Sequence, residues 1–125
     1  MTENQISHEV LGCALTVHRY LGPGLLESVY EEVLVYELEK RGLSCDRQVT
    51  LPVKYESLEL SLGFRVDVII ENSVILELKS VESLLPVHKK QLLTYLRLTN
   101  MRLGLLINFN VPLIKEGFSR VVNRL

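Results

Sequence analysis

The sequence predicts an α/β fold: a central mixed β-sheet flanked by α-helices, in the order ααβββαβ. Three observations carry this. Two helical hydrophobic stripes open the chain. Alternating apolar residues then fill its middle. A third helical segment leads directly into a short, almost wholly apolar run, LGLLINF. A strand, a helix and a second strand in succession suggest a parallel crossover, which makes the sheet mixed.

The first helix is expected over residues 4–21. Ile6, Val10, Ala14, Val17 and Leu21 recur at three- and four-residue spacing, and Leu11 widens the stripe. Thr2 or Asn4 is placed to cap it. Gly22-Pro23-Gly24 ends it. The second helix is expected over residues 26–41, with Leu26, Tyr30, Val33, Leu34 and Leu38 buried and Gly42 as its stop. Glu31, Glu32, Glu37, Glu39 and Lys40 read as its solvated face. Residues 44–55 alternate loosely as a first strand, where Pro52 points to an edge or a bulge. A turn near Glu56-Ser57 leads to a second strand over residues 60–70, and the third spans 74–80. Leu84-Leu85-Pro86 opens a third helix over 87–99, with Leu92, Leu93 and Leu96 on its core side. Residues 103–109 read as a central strand buried on both faces. The tail, 118–125, reads equally as an edge strand or a short helix.

A chain of 125 residues is expected to form one domain with its own core. A net charge of −1 provides no global basic field, so contact with a polyanion must come from a local patch. The start, MTENQISHEV, lacks a basic region followed by an apolar core, so no signal peptide is expected. No apolar run approaches the roughly 20 residues of a membrane span. Cys13 and Cys45 form no metal-ligand spacing and are expected to be reduced thiols in a cytoplasmic protein, Cys13 as packing in its helix.

The chemistry concentrates in GFRVDVIIENSVILELKS. Val66, Val68, Ile70, Val74, Leu76 and Leu78 form the expected buried face of a hairpin. Arg65, Asp67, Ile69, Ile75, Glu77 and Lys79 take the opposite parity, read as a charged face. With the turn centred on Asn72, Asp67 and Glu77 fall across from one another. Like charges so placed cost roughly 0.2–1 kcal/mol in an ordinary sheet pair. A divalent cation would neutralise them, and hard carboxylate oxygens suit magnesium or manganese. Glu77 and Lys79 point the same way, and the Leu78 carbonyl is a third oxygen beside them. Such a site suits phosphodiester hydrolysis.

Taken singly, each feature has an ordinary structural explanation. The hairpin reads as a solvated face, Glu27 as a helix-start carboxylate facing the macrodipole, and Gln91 and Tyr95 as surface and half-buried core. His88 shares the face of Gln91 and Tyr95. The joint order is the stronger signal: a carboxylate on a helix, then Asp, then Glu-x-Lys, then Gln-x-x-x-Tyr on the next helix.

Asp67 followed by Glu77-Leu78-Lys79 resembles the D…(D/E)xK core of the PD-(D/E)XK nuclease superfamily. Gln91-Leu92-Leu93-Thr94-Tyr95 is similar to the QxxxY motif that follows this core in RecB-like branches. Gly24-Leu25-Leu26-Glu27-Ser28-Val29-Tyr30 is similar to the motif that names the GxxExxY proteins, a bacterial and archaeal branch. The resemblance covers nearly the whole chain. It implies a restriction-endonuclease-like fold and a Mg²⁺- or Mn²⁺-dependent nuclease. It implies Glu27, Asp67, Glu77 and the Leu78 carbonyl as metal ligands or near-ligands, Lys79 acting on the water nucleophile, and Gln91 and Tyr95 positioning the site or the substrate backbone. One departure is that Val66 stands where the motif has proline.

The substrate expected is DNA or RNA, with Lys89, Lys90, Arg97, His88 and Arg65 contacting it and Arg47 and Lys79 adding charge. Mild net acidity fits a short or single-stranded substrate, or a protein partner that delivers one. A minimal core of this size also suits a homodimer. The alternative is a catalytically silent nucleic-acid-binding or assembly module on the same fold. A nucleotide-binding regulator fits least, because no Gly-rich loop joins a strand to a helix.

Overall fold

A computed structural model describes the backbone of residues 1–125 and every side chain except those of residues 61 and 62. The elements run α1 (Glu3–Leu21), α2 (Glu27–Lys40), β1 (Cys45–Tyr55), β2 (Leu58–Ile70), β3 (Val74–Lys79), α3 (Pro86–Thr99), β4 (Leu103–Asn108), the single turn α4 (Ile114–Gly117) and β5 (Phe118–Val122). The strands form one five-stranded sheet in the order β1-β2-β3-β4-β5. Only β3 and β4 pair in parallel; the other neighbours are antiparallel. The crossover through α3 is therefore present, and the ambiguous tail is an edge strand after one helical turn.

Thr2 caps α1. Its hydroxyl accepts from the Gln5 N–H at 3.1 Å while the Gln5 side chain accepts from the Thr2 N–H at 2.8 Å. Pro86 sits in the first turn of α3, where its missing N–H costs nothing. Pro52 lies on the edge strand β1, where the β1–β2 register shifts between Leu51 and Val53. Gly63 is required at this irregularity: a Cβ there would stand 1.8 Å from the Leu51 carbonyl oxygen.

Helices cover both faces of the sheet. On one face α1 and α2 bury Ile6, Val10, Tyr30, Leu34 and Leu38 against Val68, Ile70, Leu76 and Leu78. On the other face α3 buries Leu92 and Leu96 against Ile69, Ile75, Leu106 and Val66. This corrects two expectations. The face carrying Asp67, Glu77 and Lys79 is not an open charged surface, because α3 roofs its apolar half. Val66 also packs on the α3 side while Val68 packs on the α1/α2 side. The strict alternation of β2 thus breaks between them, at Asp67. Two further expectations fail on α2. Glu31 is buried at 6% exposure, and Leu26 is 73% exposed.

The roof is close-fitting. A Cβ added at Gly104 in β4 would lie 2.7 Å from Leu92 Cγ, and Leu92 is itself buried. Gly104→Ala is expected to cost about 1–3 kcal/mol by forcing Leu92 off its packing position. Urea unfolding checks this, and an unchanged midpoint would contradict the close α3–β4 contact.

Candidate active site

The β2–β3 hairpin turns through Glu71 and Asn72, both with φ of 53°. Main-chain pairing runs Ile70–Val74, Ile69–Ile75 and Val68–Leu76, the register expected from a turn centred on Asn72. At the next pair, Asp67 and Glu77, side chains take over from main chain. The Asp67 N–H donates to Glu77 Oε2 at 3.1 Å, and the Leu78 N–H donates to Asp67 Oδ2 at 2.8 Å. Each carboxylate is thus held by the strand opposite its own. Burial, and then the neighbouring Asp67 charge, push the Glu77 carboxyl up to about 8; the Asp67 N–H and Lys79 work against that rise.

The end of β3 is fixed from two sides. From α2, Glu27 Oε1 accepts from the Ser80 N–H at 3.3 Å, and the Ser80 hydroxyl donates to the Leu25 carbonyl at 2.6 Å. The loop bearing Leu25 is held in turn by Tyr30. Its hydroxyl donates to the Gly22 carbonyl at 2.6 Å and accepts from the Leu25 N–H at 3.1 Å. The buried Tyr30 ring stacks on Phe109 with centroids 4.4 Å apart. Gly24, with φ of 96°, turns the loop, the tyrosine holds that loop where α2 starts, and the glutamate docks the start on β3. From β4, buried Asn108 pairs both its amide atoms with the Val81 main chain at 3.1 and 2.9 Å, and the Phe109 N–H donates to the Lys79 carbonyl at 2.9 Å.

Glu27, Ser28, Glu31, Gln48, Arg65, Asp67 and Leu78 line one cleft of about 240 Å³. Three of these, Ser28, Glu31 and Gln48, carry no functional role in the sequence reading. Glu31 accepts from Arg47 Nε at 3.0 Å and from Gln48 Nε2 at 2.7 Å. Its position four residues after Glu27, on the same helical face, was an available signal. Gln48 becomes visible only once the β1–β2 register places it opposite Asp67. Asn108 carried no signal beyond being the one polar residue in an apolar strand.

The other expected site residues divide. Lys79 is half-buried beside Glu77. Tyr95 stacks on Phe64 at 4.4 Å, and its phenol is raised by burial and then by the Glu77 and Asp67 charges, which puts it on their side of α3. Gln91 is exposed one turn before it. His88 Nδ1 accepts from the Leu85 N–H at 3.0 Å, closing the start of α3. Lys90 and Arg97 are exposed, and Lys89 lines a separate cleft with Leu84, Leu85, Pro86, Glu116 and Ser119. Arg65 is the expected basic contact that lines the Asp67 cleft. Burial pushes both cysteine thiols up, Cys45 to about 11, so both stay protonated; each is free.

The Asp67–Glu77 pair presents hard oxygen donors of the kind a Mg²⁺ or Mn²⁺ ion takes, and the raised Glu77 carboxyl marks a charge conflict that a cation would relieve. The donor set therefore fits such an ion. Among the described residues, however, no three His, Cys, Asp or Glu side chains converge on one point. Glu27 lines the cleft with Asp67 and also accepts from the Ser80 N–H.

A pH dependence follows for the metal-free protein. Protonated Glu77 is favoured in the fold, so its contribution is complete below the ordinary carboxyl value of 4.5 and is lost as pH rises through about 8. Each unit of that difference corresponds to about 1.4 kcal/mol. Urea unfolding with a chelator present should show stability falling from the lower pH to the higher, and Glu77→Gln should flatten the fall. An equal slope in the variant would contradict the assignment.

No helix among the described residues is long and apolar enough to cross a membrane. No curated protein matches the chain. Among solved structures, the crystal structure of SSO0001 is similar, with a TM-score of 0.58 and 22% identity over 78% of this chain and 50% of that one. At that identity the likeness concerns the fold, which is the restriction-endonuclease-like α/β arrangement, and the chain spans about half the length of that protein. A family model of the PD-(D/E)XK nuclease superfamily matches residues 4–121. With that match running from the first turn of α1 to β5, the chain belongs to the PD-(D/E)XK nuclease superfamily.

Proposed function

We propose that the chain is a Mg²⁺- or Mn²⁺-dependent nuclease that hydrolyses phosphodiester bonds of DNA or RNA, of the GxxExxY branch. The observation that carries this reading is the reciprocal hold on Asp67 and Glu77 across β2 and β3. Two carboxylates are kept together where an ordinary sheet would continue its ladder, and Lys79 follows two residues later on the same face. Asp67 and Glu77 would hold the cation, with the Leu78 carbonyl as a further oxygen. Bound there, such an ion supplies charge to screen the attacked phosphate and acidifies water.

The chain's own groups account for the rest. Lys79, a donor as the ammonium, orients the attacking water and balances its developing negative charge. As the water oxygen bonds phosphorus and the ester P–O bond breaks, the water's proton passes to solvent and the departing oxygen takes one up from solvent. The pinning of the Lys79–Val81 main chain by Asn108, Phe109 and Glu27 fixes the strand end from which the Lys79 side chain projects. Tyr95 roofs the carboxylates and limits access of bulk water, and Gln91 contacts the substrate backbone. Arg65, in the cleft beside Asp67, holds a phosphate, while Lys90 and Arg97 on the open side of α3 extend the contact to flanking phosphates. Glu27 secures the site through Ser80.

A second reading is a silent nucleic-acid-binding module on the same fold. It is favoured by the bonds that Asp67 Oδ2 and Glu77 Oε2 already accept from main-chain N–H groups, which hold the pair without an ion. Incubation with end-labelled single- and double-stranded DNA and RNA, with Mg²⁺ or Mn²⁺, separates the two. Cleavage by the natural chain, reduced at least about hundredfold in Lys79→Ala, is the result expected. Binding without cleavage of any of the four substrates would establish the silent module, and full activity in Lys79→Ala would remove that residue from the mechanism.

A further inference from the structure

Gln48 stands in β1 directly opposite Asp67. The β1–β2 register pairs Arg47 with Val68 and Val49 with Val66, and passes over the two residues between. At this point the Gln48 backbone has φ of 50°, a left-handed conformation that residues with a Cβ avoid. Its side chain explains what holds it there. Nε2 donates to Glu31 Oε1 at 2.7 Å, and the same nitrogen lies 3.5 Å from Asp67 Oδ1. Glu31 is buried and anchored by Arg47, with Nε and Nη2 both 3.0 Å from Oε2. Both groups facing the Gln48 amide are carboxylates. That determines its orientation: the nitrogen must face them, with one hydrogen for each.

We propose that Gln48 is a positioning residue for Asp67, locked in place by the buried Glu31. The proposal rests on the reading of Asp67 as a cation ligand. Glu31 and Glu27 are one turn apart on α2, so this helix braces the site at two points: on β3 through Ser80 and on β1 through Gln48. Asp67 is left held by the Leu78 N–H on one oxygen and facing the Gln48 amide with the other. A donor behind a ligating carboxylate orients it, and loss of such a partner typically lowers metal affinity 10- to 100-fold.

Two substitutions remove the reach of the amide and respect the backbone. Gln48→Gly is at ease at positive φ. Gln48→Asn also tolerates it, but is one methylene shorter. Amide hydrogen exchange in the metal-free protein reads the effect directly, because the Leu78 N–H is bonded to Asp67 Oδ2. In both variants Leu78 should exchange about tenfold faster or more relative to Leu76, beyond whatever fall in the urea midpoint the loss of the Glu31 partner brings. Mn²⁺ affinity, by calorimetry, should fall 10- to 100-fold. Natural Leu78 protection in both variants would overturn the proposal, as would natural Mn²⁺ affinity in both. Unfolding of both would reassign Gln48 to a purely structural role. A natural chain that takes up no Mn²⁺ would defeat the metal reading instead, with Leu78 exchange still deciding for or against Gln48.

Discussion

Two carboxylates, Asp67 and Glu77, face one another where the β2–β3 ladder stops, and much of the surrounding structure keeps them there. Each accepts a main-chain N–H from the opposite strand, so neither swings away to solvent to escape the other's charge. The cost is visible in the Glu77 carboxyl, raised to about 8 by burial and by Asp67. A fold under selection for stability alone would continue the ladder with apolar or neutral residues here. The retained conflict is instead the kind of arrangement found at sites that bind a cation or move a proton.

The packing explains how the pair stays in place. The sheet is roofed by α3 on one face and backed by α1 and α2 on the other, so β2 and β3 have little freedom. The switch of Val66 to the α3 side turns β2 at Asp67, beside the left-handed Gln48. Tyr30 couples this frame to the loop before α2 by filling the space over Phe109 and binding Gly22 and Leu25. The motif tyrosine is thus a structural post. The motif glutamate is the contact it delivers.

The order of elements was legible in the sequence because helical and strand periods differ and the breaks between them are marked by Gly22-Pro23-Gly24, Gly42 and Pro86. The Asp67–Glu77 register was legible because a hairpin turn at Asn72 determines which residues face one another. What was not legible depends on long-range packing. The charged-looking face of the hairpin gave no sign of the α3 roof, since Ile69 and Ile75 were only two apolar residues among four charged ones. Glu31 looked like one of several solvated glutamates, and its burial follows from β1 bringing Arg47 and Gln48 against α2. The basic residues of α3 are close in sequence but do not share one cleft. In three dimensions Lys89 lines a cleft with Glu116 and Ser119, separate from the one that Asp67 lines.

On the reading proposed, Asp67 and Glu77 together form a divalent-cation site. Calorimetric titration of Mn²⁺ into the natural chain and into Asp67→Asn tests it most directly. Saturable binding by the natural chain, lost in a variant that keeps its fold, is the result predicted. Equal affinity in Asp67→Asn, or no uptake by the natural chain even with a short oligonucleotide present, would contradict it.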